Sequence, residues 1–330
     1  MKILGIERNV FFLGLISLFN DFSAEMVQSV MPVFLTSVLG APALFVGLIE
    51  GVADALASFL KIFSGWLSDR INRRKLPAVL GYAFSLGARS FLVGVSTFWQ
   101  VFGLRIIDRI GKGLRNPPRD ALIAESVSKE ELGKSFGFHR MMDTVGATVG
   151  PLVAFALLPF FNNDFRKIFL IAFVVGLFAI FSFAFVKETK KVTEQQKKPV
   201  KLNIQLLKAH KPFLIFLLAT FVFDLGALPI SLVLLRTQEI GLGLQAVPFF
   251  YFLFSLVFVI GAVPLGRLSD KIGQRTVIIG GFIAATLAYV GFAILDTTLG
   301  LVLAFSVLGI HGAATDGVRR ALASKLVDHS

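Results

Sequence analysis

Residues 65–75 read GWLSDRINRRK, and residues 266–276 read GRLSDKIGQRT. Aligned on Gly65 and Gly266, the two stretches lie 201 residues apart, with Asp69 over Asp270 and Arg70 over Lys271. Each follows a long apolar run and closes on cations. Two further pairs keep nearly the same spacing. LFNDFSAEM aligns with FVFDLGALP, which puts Asp21 over Asp224 at an offset of 203. IGKGLRNPPRDAL aligns with IHGAATDGVRRAL, which puts Arg119 over Arg319 and Leu122 over Leu322 at an offset of 200. Three matches at 200–203 residues fit one helical unit used twice.

The runs between these stretches set the solvent. Hydrophobic residues make up 55 % of the 330, charged residues only 16 %, and the mean hydropathy is +0.77. Apolar stretches of about 20 residues, enough to cross a hydrocarbon core of about 30 Å, recur along the chain. A segment in lipid must satisfy its own backbone, so these stretches are expected to be helices. Ten spans are expected, at 10–36, 44–67, 76–96, 98–121, 136–160, 166–186, 212–235, 246–268, 276–296 and 299–321. The first carries Asp21 and Glu25 and is followed by more spans, so it does not read as a cleaved signal.

With no cysteine, disulfides, thiolate metal sites and a thiol nucleophile are excluded. The net charge of +12 sits in the connections rather than in a nucleic-acid patch. Arg70, Arg73, Arg74 and Lys75, then Arg115, Arg119, Lys129 and Lys134, then Arg267, Lys271 and Arg275 mark one side of the membrane. The opposite connections, VLGAPA, STFW and TLG, are nearly free of cations. By the positive-inside rule the N-terminus, with Lys2 and Arg8, is expected in the cytoplasm of a cell whose inner membrane holds the chain. Residues 187–211 carry eight Lys and no long apolar run, and read as a cytoplasmic linker with a short surface helix near 202–209. The expected division is therefore a six-helix bundle at 1–186, the linker at 187–211 and a second bundle of about four helices at 212–330.

These residues carry a family resemblance. Gly65, Asp69, Arg70, Arg73 and Arg74 meet the loop signature Gly-x-x-x-Asp-Arg/Lys-x-Gly-Arg-Arg/Lys of the major facilitator superfamily, with Asn72 in place of its second glycine. The second copy keeps Gly266, Asp270, Lys271, Gly273 and Arg275. Arg105 resembles the embedded arginine of the family's fourth helix, although Arg109 stands where glycine is common. GATVGP, with Gly146, Gly150 and Pro151, resembles the Gly-rich stretch of antiporters, but Ala154 and Phe155 follow in place of a glycine pair. The resemblance implies an all-α membrane fold of two bundles around a central cavity, and secondary transport by alternating access. It implies twelve helices, so the ten found leave the last two outside this sequence. It also implies that the signature loops work as a cytoplasmic gate; His139 and Asp143, spaced i and i+4 near the cytoplasmic end of their span, are expected to cap or join that gate.

Ionisable residues at membrane depth are costly and mark candidate sites. Asp21, Glu25 and Gln28 share one helical face, as do Glu50, Asp54 and Lys61. Arg105, Asp108, Lys112 and Arg119 share another, with Arg109 and Arg115 between them, and Arg89 stands alone in the third span. Six acids (Asp21, Glu25, Glu50, Asp54, Asp108 and Asp143) face five bases (Lys61, Arg89, Arg105, Arg109 and Lys112), so most are expected to pair. The second half offers Asp224, His311 and Asp316. Asp21, Glu25, Glu50 and Asp54 are candidate proton carriers, with Arg89 and Arg105 as counter-charges. A permanent set of ion pairs that fixes helix register is the competing reading.

No P-loop, nucleophile–base arrangement or metal-ligand spacing is present, so neither an enzyme nor a cofactor is expected. An ion gradient is the expected energy source. The expected partners are a small solute and the bilayer, with no nucleic acid, and the chain is expected to act as a monomer. Proton-coupled efflux of a small organic compound is the first functional expectation. Anion uptake, exchange or uniport, with Arg89, Arg105, Arg109 and Lys112 as binding groups, is the second, and a membrane sensor or binding protein that has lost transport is the third.

Overall fold

The computed structural model describes residues 2–71, 73–188 and 211–328. Asn72 and nearly all of the expected linker, including its expected surface helix, lie outside the described residues. The fold is nearly all helical: α1 Arg8–Val33, α2 Ala43–Ile71, α3 Lys75–Phe91, α4 Phe98–Glu125, α5 Leu132–Leu157, α6 Phe165–Ser182, α7 Lys211–Gly226, α8 Ile230–Glu239, α9 Ala246–Ile272, α10 Gln274–Ile294 and α11 Thr298–Asp328. Among the described residues, eight helical stretches are long and apolar enough to cross a membrane. α4 and α5 were expected as spans but are not among the eight: α4 carries charges along most of its length, and α5 carries Lys134, His139, Arg140 and Asp143 in its first half.

Two details depart from the all-helical, ten-span expectation. The chain begins with a two-stranded antiparallel hairpin, Lys2–Ile3 paired with Ile6–Glu7. Leu4 and Gly5 both have positive φ, 51° and 75°, as a tight two-residue hairpin turn requires. Lys134 donates to the Gly5 carbonyl at 2.8 Å, and Lys2 pairs with Glu131. The hydrogen bond from Lys2 holds the exposed Glu131 carboxyl below its ordinary value. The expected span 212–235 is broken after Gly226 and resumes at Ile230. Pro229 precedes the restart: it has no N–H to continue the helix, and its fixed φ suits the position before a new one.

The chain forms two compact units, Met1–Val192 with Pro229–Phe252, and Thr193–Leu228 with Leu253–Ser330. In the first unit, α1 packs on α5 and α6, while α4 lies between α2 and α3. Its core joins Val10, Leu13 and Ile16 of α1 to Tyr82, Leu122 and Phe183. In the second, α10 packs along α11 around Val277, Ile278, Ala314 and Val318. The surface is apolar in a way a water-soluble protein avoids: Phe59, Phe91, Phe178, Phe181, Ile283 and Leu287 are exposed while Glu50, Arg89, Arg105 and Arg115 are buried. Lipid is the solvent that matches this pattern.

The α1–α5 contact depends on two glycines. A side chain at Gly146 would run into the backbone of Leu18 and Phe22, and one at Gly150 would meet the Phe22 carbonyl at 2.6 Å. Both neighbours are helix backbone and cannot turn aside. Gly137 lies on the same helix with open space around its Cα. Gly150→Ala is expected to lower stability by about 1–3 kcal/mol, whereas Gly137→Ala should not lower it. Thermal unfolding of the two variants in one detergent checks this, and equal behaviour would show that α5 does not touch α1 there.

Candidate functional site

The buried centre of the first unit is a chain of ion pairs strung along α4. Arg105 donates through one nitrogen to both oxygens of Glu50, at 2.7 and 2.8 Å, and to the amide oxygen of Gln28. Its other nitrogen lies 3.6 Å from Asp108. Arg109 sits between the buried Glu50 at 3.4 Å and the exposed Asp54 at 3.2 Å, so both acids of the α2 face lead to α4 and the chain of pairs opens to the outside at Asp54. Arg89 reaches from α3 to Asn20 at 3.0 Å, Ser23 at 2.9 Å and Asp108 at 3.5 Å. A lone charge in low dielectric is strongly disfavoured, and here each guanidinium is matched by carboxylates and hydroxyls from neighbouring helices.

A second cluster lies on α1. Arg115 donates to Ser85 at 2.9 Å and Asn20 at 3.3 Å, stacks over Tyr82 at 4.6 Å, and comes within 4.0 Å of Asp21. The Asp21 carboxyl accepts from Asn20 at 2.7 Å and lies beside the carboxyl of Asp143 on α5. Ser17 donates to Asp143 at 2.6 Å and Arg140 to it at 3.0 Å. Two neighbouring carboxyls away from water disfavour ionising together, so this pair is suited to sharing a single proton. Asp143, expected beside His139 at the gate, is thus brought against Asp21. His139 itself is buried, with Nε2 lacking a hydrogen-bond partner among the described residues.

Glu25 accepts from the hydroxyl of Tyr251 at 2.5 Å. Lys112 lies on α4 in the field of Glu25 and Asp21 but has no ion-pair partner among the described residues. Lys61 is exposed on α2 and joins neither cluster. In the second unit Asp224 pairs with Arg319 at 3.0 Å. Of the signature residues, Asp69 and Arg70 fall in the last turn of α2, with side chains outside the described ones, and a Cβ added at Gly65 would make ordinary contact with Pro117, at 3.7 Å. Arg73 is exposed, whereas Arg74 is buried and bonds Glu125 at 3.1 Å. Around the second copy Gly266 has open space, while Asp270, Lys271 and Arg275 are exposed.

Sequence reading missed Tyr251, Asn20 and Ser17, and it noted Arg319 only as a repeat partner. Tyr251 is one of three tyrosines and stands in a phenylalanine-rich run, so its hydroxyl at membrane depth was a usable signal. Asn20 and Ser17 carry no charge, and nothing in their spacing distinguishes them from packing residues.

Removing one member of a buried pair leaves the other charge uncompensated. Glu50→Ala is therefore expected to cost about 3–5 kcal/mol. The double variant Glu50→Ala with Arg105→Met should cost less than the sum of the two single changes. Thermal unfolding of the three variants measures the coupling, and strict additivity would mean that the pair does not interact.

The Major Facilitator Superfamily profile matches residues 13–330. An uncharacterized MFS-type transporter of Methanocaldococcus jannaschii is 34 % identical over 330 residues, covering 97 % of this chain and 81 % of its own. The multidrug resistance protein MdtH of Cronobacter sakazakii is 24 % identical over 328 residues, covering 98 % and 77 %. Among solved structures, a bacterial homolog of the human lysosomal transporter Spinster, inward-facing and unoccupied, superposes with a TM-score of 0.72 at 19 % identity, covering 96 % of this chain and 77 % of that one. That last likeness is one of fold alone. The near-full-length profile match and the 34 % relative go further, and they agree with the doubled loop signature: the chain belongs to the major facilitator superfamily, as a multi-pass membrane transporter.

Proposed function

We propose that this transporter exports a small organic compound in exchange for protons. The observation that carries the reading is the cluster that sets Asp21 of α1 beside Asp143 of α5, with Arg115 within 4.0 Å of Asp21 and Arg140 3.0 Å from Asp143. A proton shared by two carboxyls leaves when a nearby cation is drawn closer, and returns when that cation is drawn away. Movement of α1 against α5 or α4 changes both distances, so protonation is linked to conformation. Glu25, one turn further along α1 and held by Tyr251, offers a carboxylate to cargo on the same face.

Alternating access is then the rocking of two bundles, at 1–186 and 212–330, joined by the Lys-rich 187–211. The signature loops around Asp69 and Asp270 act as its cytoplasmic gate. The distribution of cations favours an N-terminus in the cytoplasm of an inner-membrane protein. That a relative is named a multidrug resistance protein supports export of organic compounds. Anion exchange is the second reading. Lys112 favours it, being a cation with no ion-pair partner among the described residues.

Everted membrane vesicles energised by respiration become acid inside. A transported compound should collapse part of that pH difference, read by acridine orange fluorescence, and Asp21→Asn should abolish the response. A collapse that persists in Asp21→Asn would remove the carboxyl pair from coupling. Phosphate counterflow without any response to organic compounds would favour anion exchange.

A further inference from the structure

The second unit contains a cation site that is already filled. Arg319 of α11 lies between the carboxylate of Asp224 and a pair of aromatic rings. A single guanidinium nitrogen makes both contacts to Asp224, at 3.0 and 3.2 Å. The guanidinium carbon stands 4.9 Å from the centre of the Phe282 ring and 5.7 Å from that of Phe223. The two rings stack on each other, 4.0 Å apart and 13° from parallel. His311 borders them, its Nδ1 fixed at 2.8 Å from the Gly281 carbonyl. A carboxylate beside stacked aromatic faces is a receptor for a flat cation.

The resident cation is not well held. Guanidinium–carboxylate pairs are best made through two nitrogens in a fork, yet here one nitrogen does all the bonding. The Nε of Arg319 is buried with no hydrogen-bond partner among the described residues. The repeat in the first unit shows the contrast. There Asp21, Arg115 and Tyr82 bring together the same three kinds of group: Tyr82 lies 200 residues before Phe282, while Arg115 stands one turn before Arg119, the residue that aligns with Arg319. Arg115, however, is also held by Asn20 and Ser85, whereas among the described residues Arg319 has no hydrogen-bond acceptor but Asp224. The Asp224 side chain is 52 % exposed against 23 % for Asp21, so an incoming group can reach it.

We propose that Asp224, Phe223 and Phe282 form a binding site for planar organic cations of the amidinium or guanidinium type. Arg319 occupies that site when no ligand is present and is displaced when one binds. An external amidinium gains the two-nitrogen fork that Arg319 lacks, along with the same aromatic faces. The displaced guanidinium turns to solvent or to cargo. This identifies a class of cargo for the exporter proposed above, and it rests on that reading only for the step from binding to transport.

The test is equilibrium binding of benzamidinium to the full chain in detergent, by calorimetry and with no gradient present. Deleting the resident occupant in Arg319→Ala should tighten binding by roughly tenfold. Asp224→Asn and Phe282→Leu should each weaken it, and neutral benzamide should not bind. Should Arg319→Ala fail to fold, Arg319→Gln gives the same comparison. Binding to the arginine variant no tighter than to the unaltered chain, or undiminished binding to Asp224→Asn, overturns the proposal. A failure of the vesicle assay with this binding pattern intact would count against proton-coupled export and not against the site.

Discussion

Arg105 and Glu50 meet in the interior of the first unit, and much of the unit's architecture follows from the need to keep charges like theirs matched. α4 carries too many ionised groups to be at home in lipid by itself. It is acceptable there because α2 supplies Glu50 and Asp54, α3 supplies Arg89 to meet Asp108, and α1 supplies Gln28 and Asn20. Each pairing fixes the rotation of α4 against one neighbour. A one-residue slip would bury an unpaired charge at a cost of about 3–5 kcal/mol, more than most single contacts contribute.

Small residues make the network possible by letting helix backbones approach. Gly146 and Gly150 bring α5 onto α1, which is what places Asp143 against Asp21. Gly81 and Gly111 do the same where α3 meets α4, beside Arg115 and Ser85. Without a hydrophobic driving force between helices in lipid, close packing and polar contacts are the available sources of association. Glycine and buried charge are thus two halves of one arrangement. The stretch GATVGP can then be understood physically, as the contact that sets the distance between two carboxyls.

The fold was legible because its signals are local and repeated. Apolar runs, the sidedness of cations and the doubled GxLSD stretch can each be seen without knowing a single tertiary contact. The list of charged candidates was legible for the same reason, since a charge in an apolar run stands out. Which charge meets which was not legible. Arg105 lies three residues from Asp108 yet makes its shortest ion pair with Glu50, 55 residues away. Tyr251 reaches Glu25 across 226 residues, a pairing that no spacing rule yields. The break at 227–229 was missed because the apolar run continues through it, and only Pro229 signals the change. The second unit looked poor in chemistry because Arg319 falls near the end of a long helix, where a cation ordinarily reads as an anchor.

The doubled unit gives the two halves related but unequal chemistry. Both hold an aspartate, an arginine and an aromatic ring, yet among the described residues only the first surrounds its arginine with amide and hydroxyl acceptors and sets a second carboxyl beside its aspartate. On the proposed mechanism the first unit responds to protons and the second to cations. Its central requirement is that Asp21 and Asp143 hold one proton between them. Infrared difference spectroscopy of the protein in lipid at neutral pH tests it most directly. A protonated-carboxyl carbonyl band that disappears in both Asp21→Asn and Asp143→Asn is the predicted result. No such band, or one that survives both substitutions, would contradict the mechanism.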